Sequence, residues 1–256
     1  MFKLITKIKT YFILRNNPIS PIIWGKLANS LPLCRNLEHK DLYKLKKLTT
    51  LFLYEKTFTG VKDFELDEEK KMIIAIQACL PILHLDMSYY DGWIEVVIYP
   101  DTFVIFRNTT DNFGLVHDDT IAASGEAWSH GPVILSWTDV ERDSFAPRAG
   151  HNVTIHEFSH KLDMLNGRAN GMPPLHPNMH RSVWTKSLSQ AYDVLVSKIK
   201  NHESTAINQY AATNPAEFFA VTSETFFTAP DILKQNCPEV YEQLVLFYKQ
   251  EPVGLL

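Results

Sequence analysis

The segment His156-Glu157-Phe158-Ser159-His160 constrains this chain more than any other, because it restricts local fold and chemistry together. Residues four apart share a helix face, so a helix here aims both imidazoles at one small cation. Val153, Ile155, Phe158, Leu162 and Leu165 form an apolar stripe at roughly helical spacing. Asn152 suits an N-cap, and Asn166-Gly167 supplies a stop. The pattern predicts a helix over 152–166 with one face in the core and the histidines on the other. Glu157 is placed to reach a water on the cation without being a ligand. Two His ligands and a Glu base in H-E-x-x-H form the arrangement of zinc peptidases.

Catalytic zinc usually takes three protein ligands, so a third is needed. Downstream, Asn214-Pro215 reads as an N-cap followed by the first residue of a helix running to about Phe227. Glu217 falls in its first turn, where a capping role for Asn214 is the plain alternative. Glu224 lies seven residues on, on nearly the same face. Spacing alone does not decide between the two carboxylates, although Glu217 has a modest edge.

The run Asn152 to Gly167 (NVTIHEFSHKLDMLNG), followed by Tyr210-Ala211-Ala212 and by Asn214 to Glu224 (NPAEFFAVTSE), resembles the Mlc titration factor A (MtfA) family of zinc metallopeptidases. So do Leu80-Pro81-Ile82-Leu83, Ile98-Tyr99-Pro100 and Gly131 to Trp137 (GPVILSW). The similarity runs from about residue 25 to 252, and the first twenty residues do not fit it. The resemblance implies a catalytic core related to that of anthrax lethal factor and one Zn2+ per chain. It implies His156, His160 and Glu217 as metal ligands, Glu157 as general base, and Tyr210 as the tyrosine seven residues before the third ligand.

In that scheme Tyr210 donates a hydrogen bond to the developing oxyanion. A buried tyrosine bonded to backbone is its alternative. Asp163 lies on the ligand face near a helix C-terminus, where a carboxylate opposes the macrodipole. Accepting a hydrogen bond from a zinc-bound imidazole suits it, as does an exposed or locally bonded position. The other eight histidines lack a comparable ligand context.

With 25 basic and 29 acidic residues the net charge is −4, which leaves no footprint for direct nucleic acid binding. Cys34, Cys79 and Cys237 are too few and too spaced for a disulfide framework or a cysteine metal site, which points to a reducing, cytoplasmic compartment. The first fifteen residues mix Lys3, Lys7, Lys9 and Arg15 with apolar side chains and carry no signal-peptide pattern. Such a helix packs on the body of the protein or makes a weak contact with an anionic membrane surface. No stretch approaches the roughly eighteen apolar residues of a transmembrane segment.

Periodicity assigns helical regions to 26–56 and 67–80, punctuated by Pro18, Pro21, Pro32 and Pro81, then β-rich runs at 93–99, 102–106 and 132–137, then helices near 181–203, 214–228 and 238–250. The expected fold is α+β: a zincin-like metallopeptidase with an N-terminal helical layer, a small mixed sheet and the H-E-x-x-H helix. Residues 1–80 form the helical region and 81–256 the catalytic domain. Residues 107–131 are turn-rich and suit a strand pair bordering the cleft. Gly131 to Leu135 is the candidate edge strand for pairing with extended substrate, an ordinary buried strand being the alternative.

Two functions fit. One is a zinc-dependent peptidase acting on a peptide or protein substrate, with an aminopeptidase-like activity linked to sugar-uptake regulation. The other is a regulatory protein that sequesters a transcriptional repressor of the Mlc kind, with hydrolysis secondary.

Overall fold

The computed structural model describes residues 2–35, 37–110, 116–128 and 131–253. The N-terminal part carries α1 (Phe2–Asn16), α2 (Pro21–Ser30), α3 (His39–Glu55), β1 (Thr57–Gly60) and α4 (Glu68–Cys79). Next come β2 (Glu95–Tyr99), β3 (Phe103–Thr110), β4 (Val116–Ala123), β5 (Gly125–Ala127) and β6 (Val133–Ser136). The remainder is helical: α5 (Trp137–Phe145), α6 (Val153–Asp163), α7 (Arg181–Lys200), α8 (Pro215–Thr228), α9 (Pro230–Asn236) and α10 (Pro238–Tyr248). The architecture is α+β around a small four-stranded mixed sheet.

That sheet has the order β1-β2-β6-β5, with β1, β2 and β6 parallel and β5 antiparallel to β6. This order corrects the expected edge strand. Val133 to Leu135 lies in β6, hydrogen-bonded on both sides, and the edges are β1 and the three-residue β5. Val133 and Leu135 are fully buried, so β6 reads as a core strand. β3 and β4 form a separate antiparallel pair from Phe103↔Ala123 to Thr110↔Val116. The expected strand pair therefore starts earlier than 107, and 111–115 and 129–130 lie outside the described residues.

Local chemistry explains the other differences. Within the helical region expected over 26–56, α2 ends at Ser30 and Pro32 opens a short 3-10 turn, Pro32–Cys34, at the punctuation the sequence places there. Trp137, expected in a strand, starts α5, because Ser136 caps it by accepting from the Asp139 N–H. Pro230, just past the end of α8, is the first residue of α9. β1 is half-exposed and without an alternating pattern, so periodicity does not mark it.

The core holds α6 in place. Ile155, Phe158 and Leu162 are fully buried. Phe158 packs against Phe52, Tyr90 and Trp93 at ring distances of 5.5, 5.2 and 5.7 Å. Two buried ammonium groups stand over the Trp93 ring, Lys56 at 4.0 Å and Lys161 at 4.6 Å from its centre. Lys56 also donates to the Tyr90 and Trp93 carbonyls. On α1, Ile13 is buried while Ile8, Tyr11 and Phe12 stay about half exposed. Among the described residues no helix is long and apolar enough to cross a membrane.

Candidate metal centre and active site

The start of α6 is fixed by a polar network. Asn152 Oδ1 accepts from the Ile155 N–H at 2.8 Å, and its Nδ2 donates to Gln77 Oε1 at 2.6 Å. The Val153 N–H donates to Asp143 Oδ2 at 2.9 Å. These bonds satisfy amides that a helix start leaves orphaned, and they set the rotation of the helix. With its apolar side locked into the aromatic cluster, α6 turns His156 and His160 towards the first turn of α8.

There, Asn214 Oδ1 accepts from the Ala216 and Glu217 N–H groups at 2.9 and 3.0 Å. The Glu217 carboxylate is turned to the imidazoles: its Oε2 lies 3.0 Å from His156 Nε2 and 3.3 Å from His160 Nε2. The two Nε2 atoms are 3.2 Å apart. His156, His160 and Glu217 each bring one donor atom within 4.8 Å of the others. Two imidazole nitrogens and a carboxylate oxygen suit zinc, and their position on an open cleft leaves room for a further ligand.

Glu224, the other carboxylate considered, has a different place. Its Oε1 is 2.6 Å from His156 Nδ1, and its Oε2 accepts from the Asn152 N–H at 2.7 Å. A proton on Nδ1 leaves the Nε2 lone pair facing the cluster. The imidazole contact expected of Asp163 is made by Glu224, to His156. Asp163 Oδ2 instead accepts from the Asn170 and Gly171 N–H groups, both at 2.7 Å. The chain folds back after Gly167 and brings those amides to the helix end, so Asp163 anchors a loop. His160 Nδ1 and Asp163 Oδ1 are buried without a hydrogen-bond partner among the described residues.

The electrostatics are those of a charge-balanced cluster. Burial opposes a charge on His156, but Glu224 and Glu217 more than offset it and raise its pKa well above the usual value. Burial likewise works against a charged Glu217, yet hydrogen bonds from His156 and His160 hold its carboxyl well below the normal range. Glu157 points into the same cleft, and burial raises its carboxyl to about 7, with Glu217 and Glu224 adding and the histidines opposing. A cation at the cluster acts against that rise.

The cleft measures about 450 Å³ and is lined by β5, by His156, Glu157 and His160, and by Tyr210 and Glu217. Tyr210 sits in a 3-10 turn, Gln209–Ala212, with its ring 6.0 Å from that of His156. Its side chain is 51% exposed, so it is not a buried structural tyrosine. Lys161 donates to the Trp128 and Gly131 carbonyls, which ties the β5–β6 connection to α6. Of the remaining histidines, His176 is bonded to the Phe247 carbonyl and His84 lies beside Asp41. His39, His180 and His202 are exposed, His151 is half-buried, and the side chains of His117 and His130 lie outside the described residues.

Fold and site together have the character of a metallo-peptidase. The family model described as glucose-regulated metallo-peptidase M90 matches residues 5–249, and the chain belongs to this family. Among its relatives, Mlc titration factor A of Escherichia fergusonii is 41% identical over 229 residues, covering 88% of this chain and 85% of the relative. The protein of the same name from Cronobacter sakazakii is 40% identical over 238 residues, 92% and 88% of the two chains. The resemblance carried by the sequence motifs holds over most of the chain.

Proposed function

We propose that the chain is a zinc-dependent peptidase whose metal is held by His156, His160 and Glu217. The observation that carries this reading is the convergence of the two Nε2 atoms and Glu217 Oε2 beside a buried Glu157. The donor chemistry fits zinc, and the Glu224 contact to His156 Nδ1 is the support that a ligating imidazole commonly has. When bound, zinc supplies Lewis acidity that makes water nucleophilic at neutral pH and polarises a carbonyl.

The rest of the chemistry belongs to the chain. Glu157 takes a proton from the attacking water and delivers it to the leaving amine. Tyr210, at the mouth of the cleft, donates its hydroxyl to the carbonyl oxygen as charge develops there. β5, the sheet edge beside Glu157, pairs with the main chain of an extended peptide. Asp163 acts through the Asn170–Gly171 loop. An aminopeptidase-like specificity, a cytoplasmic setting and a zincin-like catalytic domain over 81–256 complete the proposal.

A second reading rests on the printed name of the relatives, Mlc titration factor A. By that analogy the chain binds a repressor of the Mlc kind, alongside hydrolysis or in place of it.

The test is metal stoichiometry with peptide hydrolysis. The protein is expected to bind one equivalent of zinc, lose hydrolysis to a chelator and regain it on zinc addition. Glu217→Ala should bind zinc far more weakly. Full zinc affinity in Glu217→Ala would remove it from the ligand set.

A further inference from the structure

Behind the metal cleft lies a second cavity of about 310 Å³. Asn170 and Pro215 line both spaces, so the two adjoin. The cavity is floored by apolar side chains, Trp184, Leu188 and Phe218, with Met172 and Tyr192 beside them. Thr185, Ser189 and Asp193 of α7 form its exposed rim.

The walls are fixed. Asp163 of the histidine-bearing helix holds the Asn170 and Gly171 amides. From the other side, the Trp184 indole N–H donates to the Gly171 carbonyl at 2.9 Å. Gly171 adopts φ +77°, and a Cβ there would stand 2.5 Å from the Pro215 carbonyl oxygen, so the loop lies directly on the α8 start. Tyr192 donates its hydroxyl to the Ala212 carbonyl at 3.0 Å, and its ring meets Phe218 edge-on at 5.8 Å. A preformed apolar cavity with a few polar groups at its rim binds an apolar group without first reorganising.

We propose that this cavity receives a large apolar side chain of the substrate, aromatic or of the leucine and methionine kind, from a residue flanking the cleaved bond. The inference rests on the peptidase reading. A peptide whose backbone lies beside Glu157 and β5 occupies a cleft that shares Asn170 and Pro215 with the cavity, so a side chain next to the cleaved bond lies beside that apolar space. The cavity floor is apolar, which favours Leu, Met, Phe or Tyr over Ala or a carboxylate. Asp193 at the rim disfavours acidic residues further.

The experiment uses zinc-loaded protein and a peptide series in which each residue flanking the cut bond is varied among Ala, Asp, Leu and Phe. Wild type should show kcat/KM at least about tenfold higher for Leu or Phe than for Ala at one flanking position. Ser189→Trp and Thr185→Trp, two independent fillings from the exposed rim, should erase that preference while melting temperature and zinc content stay at the wild-type level. Peptide binding to zinc-loaded Glu157→Gln, followed by calorimetry, separates the two proposals. Binding that favours Leu or Phe and is lost on filling supports the cavity even if wild type cleaves nothing, an outcome that sinks the peptidase reading alone. Cleavage or binding indifferent to both flanking residues overturns the cavity assignment, as does a preference that survives both fillings.

Discussion

Gly125 and Glu157 are packed so closely that a Cβ on Gly125 would stand 2.5 Å from both Cγ and Oε1 of the glutamate. The edge strand passes over Glu157 with no room for a side chain. Gly125→Ala should therefore push the Glu157 carboxylate away from its working position. The expected result is a loss of about 10²-fold in kcat with zinc content unchanged, since a displacement of this size commonly costs that much. In a Glu157→Gln background the same substitution should cost little more. Additive losses would show that Gly125 does not act through Glu157.

Glu224 holds His156 Nδ1 and the Asn152 amide with its two oxygens. Glu224→Gln should weaken zinc binding by about 10- to 100-fold, as loss of such a supporting carboxylate does. Glu217→Ala should weaken it more. A chelator competition series measures both, and equal affinity in Glu224→Gln and wild type would refute the supporting role.

His156 carries a raised pKa because Glu224 and Glu217 face it across a buried site. A ligating imidazole must have its Nε2 free, so zinc binding there would displace the proton that the raised pKa keeps on His156. Apparent zinc affinity should rise with pH from 6 to 8, and calorimetry in buffers of different ionisation enthalpy should detect proton release. Binding with no proton release would contradict the charge-balanced cluster.

Lys56 lies buried over Trp93, and burial lowers its pKa to about 8 from the usual 10.5, with Glu55, Asp91 and Cys79 favouring the charge. Lys161 beside it is lowered in the same way, by burial first and then by Lys56. Between pH 8 and 10.5 these two lysines hold more protons in the unfolded chain than in the folded one, a contribution that raises stability with pH, while the buried Cys34 and Cys79 thiols, which burial pushes up, contribute the opposite slope. Lys56→Met removes its share of that rise, so its urea midpoint should fall relative to that of wild type from pH 8 to 10. A midpoint that falls equally in both proteins would count against it.

The sequence makes the local elements of the site legible where short-range chemistry specifies them. Asn152 caps α6, Asn214-Pro215 opens α8, and the HExxH spacing puts both imidazoles on one face. Long-range pairing is not written locally. Nothing in the spacing assigns Glu217 to the two Nε2 atoms and Glu224 to Nδ1, because both sit on one face of α8 and the packing of α8 on α6 decides. Asp163 turned to a loop because the amides of Asn170 and Gly171 return to it through a fold-back after Gly167. Sheet order also depends on pairing at a distance: β5 is three residues long, too short for a periodic signal, yet it forms the edge beside Glu157.

The most direct test of the account is hydrolysis of a mixed peptide library by zinc-loaded wild type and zinc-loaded Glu157→Gln. Wild type should cleave, Glu157→Gln should be slower by at least about 10²-fold, and both should hold one equivalent of zinc. Undiminished cleavage by Glu157→Gln at full zinc occupancy would contradict it.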